Sequence, residues 1–123
     1  MLIKTKDLTL RHVKSSDAKV LFEIEIDKDN IKNMMSHAKS LAEVKRSVKN
    51  KIKDYKKSKP HEEFIIIEAK EGVAGYVSIH DLNNKYVAHK AFISYALHPE
   101  FRGKGITTKA VKLVTKYAFK NIN

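Results

Sequence analysis

Four residues in a row, Arg102-Gly-Lys-Gly105, combine two fixed charges with two glycines, a set of types suited to holding an anion. Glycine lacks a Cβ, so the main chain at Gly103 and Gly105 can approach a bound group closely and adopt left-handed backbone angles. Apolar residues then recur at Ile106, Ala110, Leu113, Val114, Tyr117 and Ala118, the spacing of a helix. Lys109, Lys112, Lys116 and Lys120 fall on its other face. The first turn of a helix carries N–H groups with no partner inside the helix, and the macrodipole adds positive potential there. The chemistry expected of residues 102–108 is therefore a phosphate or pyrophosphate cradle made of main-chain amides, with Arg102 and Lys104 adding charge. The spacing is not G-x-x-x-x-G-K-[ST], nor G-x-G-x-x-G, so neither the nucleoside-triphosphate loop nor the dinucleotide fingerprint applies. Taken alone, R-G-K-G also reads as a basic surface turn.

Such a loop must be presented by something. Ala91 to Leu97 is apolar, aromatic and β-branched, as a strand is, and Pro99 biases His98 to an extended conformation and ends it. Upstream, Asp7 to Val13 alternates and reads as the first strand. Ser15-Ser16-Asp17 offers an N-cap and an acidic first turn to a helix with Val20, Leu21, Phe22 and Ile24 inward. Asp27 to Asn30 is polar and should end that helix. Met34 and Met35 in the next segment suit either core filling or an adaptable acceptor groove. Ser40 and Glu43 form a capping box. Leu41, Val44, Val48, Ile52 and Tyr55 make one apolar stripe behind it, and Pro60 is the stop. Phe64 to Ala69 reads as a buried strand and Glu71-Gly72 as a hairpin turn. Val73, Gly75, Val77 and Ile79 form one face of the next strand, with Gly75 marking a bulge or a close neighbour. Asp81 to Lys90 is a polar loop.

Strand, two helices, three strands, glycine loop and helix give an α/β (α+β) domain over residues 1–123, with a mostly antiparallel sheet flanked by helices. A length of 123 residues with 42% hydrophobic residues is enough for one core. No apolar run is long enough to span a membrane, and the N-terminus lacks a secretory pattern, so a cytoplasmic address is expected. The chain has no cysteine, which removes thiolate nucleophiles and Cys-zinc sites from consideration. Six histidines show no ligand spacing, and no metal is expected. The net charge of +11 suits an anionic partner, whether a phosphorylated cofactor, RNA or a ribosomal surface. Most of the excess is lysine spread along helix faces, so specific nucleic-acid binding is not the leading reading. A cationic acceptor such as a polyamine would need a local acidic pocket.

Arg102-Gly-Lys-Gly-Ile-Thr107 resembles the Arg/Gln-x-x-Gly-x-Gly/Ala signature of the GNAT acetyltransferases. The run from Ile93 to Phe119 is similar to the ribosomal-protein N-acetyltransferase and spermidine N-acetyltransferase branch. Thr107 stands where the family has Gly or Ala. The resemblance implies acetyl-CoA as co-substrate. It would be held by Ala96, Leu97 and His98 at the strand end and by Arg102, Gly103, Lys104, Gly105, Ile106, Thr107 and Thr108 in the loop. It also implies transfer of acetyl to a primary amine, a protein N-terminus or a small amine. Relatives continue through a further strand, helix and strand that carry the usual thiolate proton donor, so the sequence reads as C-terminally truncated. The uncovered sheet edge that results would invite a homodimer or an exchanged element. For the general base the sequence offers His80, Glu62, Glu63 and Tyr95, each with a structural role available instead. Two other readings stay open: a non-catalytic CoA-binding or interaction domain, and a basic ribosome- or RNA-associated module.

Overall fold

In the computed structural model, which describes residues 2–32, 37–80 and 92–121, five strands form one sheet in the order of the chain. They are β1 (Leu2–Lys4), β2 (Leu8–His12), β3 (Glu63–Ala69), β4 (Gly72–His80) and β5 (Phe92–Leu97), and every neighbouring pair is antiparallel. Strand β3 sits at the centre. Ile65, Ile66 and Ile67 have no exposed surface, which is why its sequence is a continuous apolar run rather than an alternating one. Each fully buried isoleucine contributes about 1.5–3 kcal/mol.

The alternation of the strands divides the core in two. On one face Leu8, Leu10, Ile65, Ile67, Val77 and Ile79 pack against helix α4 (Ile106–Asn121) through Ile106, Ala110 and Val114. On the other, Phe64, Ile66 and Ala96 pack against α1 (Ala18–Glu25) and α3 (Leu41–Tyr55) through Leu21, Ile24, Val44 and Val48. The stripe read from the sequence of α3 is the buried one, and Leu41, Ile52 and Tyr55 extend it.

Several local expectations change. Strand β1 was not foreseen. It is a three-residue edge strand, too short for periodicity to mark. Asp17 does not cap α1 with its side chain. It is buried, accepts the Lys14 N–H at 2.7 Å, and holds Arg11 through two hydrogen bonds of 2.9 Å. Asp17 raises the Arg11 pKa further above its already high value. The capping box is half formed: Ser40 accepts from the Glu43 N–H, but the Glu43 carboxylate takes the N–H of Lys39. In β4 the register shifts beside Ile67 and Glu68. The extra residue, Ala74, joins Val77 and Ile79 on the α4 face, while Val73 turns to the α1/α3 face. The single face expected for Val73, Gly75, Val77 and Ile79 is therefore broken at the bulge. Gly75 also has the expected close neighbour: a Cβ there would lie 2.2 Å from the carbonyl oxygen of Ala96. Met34, Met35 and the 81–90 loop lie outside the described residues.

Candidate active site

The glycine loop is pinned at both ends before it is free in the middle. Strand β5 ends at Leu97, and Pro99–Phe101 makes one tight turn. Phe101 and Ile106 both enter the α4-side core and so fix where the loop leaves and returns. Between them Gly103 and Gly105 have φ of 78° and 72°, the left-handed region that glycine reaches without strain. An added Cβ at either position meets nothing within 4 Å, so the loop borders open space. Among the described residues, none of the amides from Gly103 to Thr108 has a hydrogen-bond partner in the chain. That is the state of a helix N-terminus with its donors presented outward. The ammonium of Lys104 lies 5.5 Å from the centre of the Phe101 ring, which keeps a positive charge beside the loop.

Arg102 behaves otherwise than the sequence led us to expect. Its guanidinium turns away from the loop and bonds Asp27 at 2.5 Å and Asn30 at 3.1 Å, with Asp29 at 3.5 Å. The Asp-Lys-Asp-Asn run, read as a simple helix terminator, is a separate turn of helix, α2 (Lys28–Ile31), capped by Asp27 through the Asn30 N–H. Asn30 donates to Ile24 and to Leu97 carbonyls at 3.0 and 2.9 Å. The result is a latch joining α1, α2, the end of β5 and the glycine loop. The hydrogen bond from Arg102, only partly opposed by burial, holds the Asp27 carboxyl below the usual carboxylate range.

His98 is also occupied. Its N–H donates to the Ala74 carbonyl at 2.8 Å, and its ring bridges Glu23 at 3.0 Å and the Glu100 N–H at 3.3 Å. That bond fixes the phase of the β4–β5 ladder. Antiparallel partners alternate between bonded and unbonded pairs, so Ala96 and Ser94 turn their main-chain groups to β4. Leu97, Tyr95 and Ile93 turn theirs to the open edge. The Leu97 carbonyl bonded by Asn30 agrees with this phase. Among the described residues β5 is an edge strand, with Ile93 41% and Tyr95 57% exposed.

Residues 7–123 match the family model described as an acetyltransferase (GNAT) domain. The chain belongs to the GNAT acetyltransferase family. Its fold is similar to solved structures across nearly its whole length. The apo ribosomal L7/L12 alpha-N-protein acetyltransferase RimL superposes with a TM-score of 0.80 at 19% identity, over 98% of this chain and 65% of that one. A spermidine N-acetyltransferase SpeG chimera from Vibrio cholerae and hSSAT gives 0.74 at 21% identity, over 94% and 65%. The microcin C7 self-immunity acetyltransferase MccE, in complex with acetyl-CoA and AMP, gives 0.74 at 24% identity, over 96% and 66%. The chain thus spans about two thirds of the length of these structures. No curated protein matches it significantly.

This GNAT domain also carries a cavity on the α1/α3 face of the sheet. It is a cavity of about 190 Å³ lined by Glu25, Lys51, Glu62, Tyr76, Ser78, His80 and Ser94 together with apolar residues of α1, α3 and β3. Of the four base candidates, Glu62 and His80 line it. Glu62 is held by Ser78 at 2.5 Å and Lys51 at 2.9 Å. Glu63 is not part of it and bonds His12 at 2.9 Å, whose ring stacks on Tyr55. Tyr95 lies opposite Val77, on the α4 face, and is exposed. Burial, then the charges of Glu25 and Glu62, push the Tyr76 hydroxyl up to about 12, so it stays protonated at neutral pH. Glu25, Tyr76, Ser78 and Ser94 carried no sequence signal, because they come from three elements and meet only in the fold. A larger shallow groove of about 760 Å³ runs along the outer side of α3 past Asp54 and His61, away from the loop. Among the described residues no helix is long and apolar enough to cross a membrane, and no group of side chains is arranged to hold a metal.

Proposed function

We propose that this GNAT domain binds acetyl-CoA at the glycine loop and serves acetyl transfer to a primary amine, either a protein N-terminus or a small amine. The observation that carries the reading is the run of unengaged amides from Gly103 to Thr108, opened by two left-handed glycines at the start of α4. The diphosphate of CoA fits such a cradle, since several N–H donors and the helix dipole act on one doubly charged group. Arg102 serves this site by holding the loop through Asp27 and Asn30 rather than by touching phosphate. Acetyl-CoA supplies the activated acetyl thioester. The edge-facing N–H of Leu97 is the donor placed to polarise the thioester carbonyl. His98 and Ala96 shape the strand end: the His98 N–H donates to the Ala74 carbonyl of β4, and the His98 carbonyl accepts from the Phe101 N–H. The acceptor must shed a proton before it attacks, and of the base candidates Glu62 and His80 are the two that line the cavity. A cytoplasmic address belongs to the same proposal.

The open edge of β5 among the described residues favours a second reading, a CoA-binding domain that does not turn over by itself. The open β5 edge then pairs with a second copy or with another chain. Two measurements separate the readings. Thermal melting with and without acetyl-CoA tests binding, because a ligand of the folded state alone raises stability. Release of free CoA in the presence of a panel of primary amines tests transfer. A raised melting temperature with no CoA release supports the second reading; no rise at all at saturating acetyl-CoA contradicts both.

A further inference from the structure

The chain carries a net charge of +11, yet the cavity on the α1/α3 face is a negative spot within it. Two carboxylates, Glu25 and Glu62, face one permanent cation, Lys51. Lys51 is committed on both sides, bonded to Glu62 at 2.9 Å and lying 4.5 Å from the centre of the Phe64 ring. Glu62 is saturated by Lys51 and Ser78. Glu25 is not. Its Oε1 accepts a long bond of 3.4 Å from the Ala38 N–H, and among the described residues its Oε2 has no partner. A half-buried carboxylate left in this condition inside a cavity favours a cation strongly, because low local polarity magnifies unpaired charge. The remaining lining supplies groups that can accept from an ammonium: the hydroxyls of Tyr76, Ser78 and Ser94.

The position of the cavity gives this charge a use. Ser94 pairs with Ser78, and Tyr76 with Ala96, so the cavity follows the same two strands towards Leu97. Ser94 stands three residues from Leu97, about 10 Å along a strand. Tyr76 is nearer, since its partner Ala96 adjoins Leu97, so the cavity ends beside the part of β5 where the thioester would sit. At about 190 Å³ the cavity has room for a short arm, comparable to roughly six waters of liquid, and not for a folded partner.

We propose that this cavity is the recognition site for the acceptor, and that it selects a primary ammonium on a short, slender arm, with Glu25 as the residue that determines specificity. The inference rests on the acetyltransferase reading for the word acceptor, but the binding it asserts does not need turnover. It also answers the demand that a cationic substrate places on a basic protein: the acidic pocket is present, and it is local. One unneutralised carboxylate matches a single ammonium better than a doubly charged head.

The test is a nuclear magnetic resonance titration of the full chain at constant ionic strength. The probes are n-butylammonium chloride and its uncharged counterpart n-butanol, read at the amides of Tyr76, Ser78 and Ser94. Butylammonium should shift these amides saturably, and butanol should not at the same concentrations. Glu25→Gln keeps the Ala38 hydrogen bond and should weaken butylammonium at least tenfold; Ser78→Ala should weaken it less. Equal shifts with butanol, no saturable shift in the wild type, or unchanged affinity in Glu25→Gln overturns the proposal. CoA titrated into the same samples separates the two readings. Lost CoA binding with intact butylammonium binding sinks the transferase reading alone, and the reverse sinks this inference alone.

Discussion

The glycine loop and the cavity of the α1/α3 face lie on opposite sides of β5 and are made of different material. The glycine loop is built from main chain: two positive-φ glycines and the free donors of one helix terminus. The cavity is built from side chains on α1, α3, β3, β4 and β5. A main-chain site recognises a feature that every CoA carries, and its geometry is fixed by local backbone. A side-chain site can change its ligand with one substitution while the backbone stays where it is. The difference explains why one half of the molecule could be read as chemistry from a short stretch of sequence and the other half could not.

If that division is right, the largest effect comes from placing charge in the cradle. Gly103→Asp adds a carboxylate to a site meant for a diphosphate and forces a residue with a Cβ to φ of 78°. CoA affinity should fall by roughly a hundredfold or more, measured by calorimetric titration, which corresponds to about 3 kcal/mol. The left-handed conformation should cost only about 1–2 kcal/mol of stability, so the domain should remain folded by circular dichroism. Binding of butylammonium should be untouched. A loss at both sites would show that the two regions are not independent.

A smaller effect is expected from the latch between them. Arg102→Ala releases Asp27 and Asn30 and leaves the loop less well placed. CoA should bind about tenfold more weakly, since sites built on a loose supporting shell lose affinity through misplacement rather than through a lost contact. If Arg102 instead touched phosphate, the salt dependence of CoA binding would flatten in this variant. We expect that slope to be unchanged when log Kd is plotted against log salt.

Two pH effects sharpen the same contrast. The Asp27 carboxyl is held below its ordinary value by Arg102, so its contribution is present above the ordinary carboxylate range near pH 4 and is lost as pH falls through the lower folded value. Acid melting curves of Asp27→Asn should therefore lose part of the wild-type slope below about pH 4. On the cavity side the sign is opposite. The Tyr76 hydroxyl sits at about 12 when folded, against 10 for the free side chain, so the unfolded chain ionises first. Stability attributable to Tyr76 is full below pH 10 and declines up to about 12. Tyr76→Phe should reduce the alkaline fall of the melting temperature, the smallest of these changes.

The parts legible in the sequence are those set by local pattern. The α3 stripe, the apolar run of β3 and the strand–turn–glycine–helix passage all follow from residues near one another in the chain. The antiparallel order of β3, β4 and β5 followed too, because a short turn joins β3 to β4 and sequential strands tend to be neighbours in a sheet. What escaped was set by contacts across long separations. Gly75 signalled a bulge, but not that Ala74 would be the extra residue and Val73 the one to change face. The Asp27–Asn30 turn looks like a terminator until Arg102, more than seventy residues away, closes on it. Asp17 has the position of a cap, but the pull of a half-buried Arg11 decides its orientation. The cavity is the extreme case, since Glu25 and Ser94 have no relation in sequence and share one space only because α1 packs on β4, the neighbour of β5.

The most direct test of the account reads the loop amides themselves. In a titration followed by nuclear magnetic resonance, CoA should shift the N–H signals of Gly103, Lys104, Gly105 and Thr107 together and saturably. Pantetheine, which has the same arm without the diphosphate, should leave them in place. Binding of CoA that leaves these four signals unmoved, or equal shifts with pantetheine, would contradict the claim that a diphosphate is held by the main chain at the start of α4.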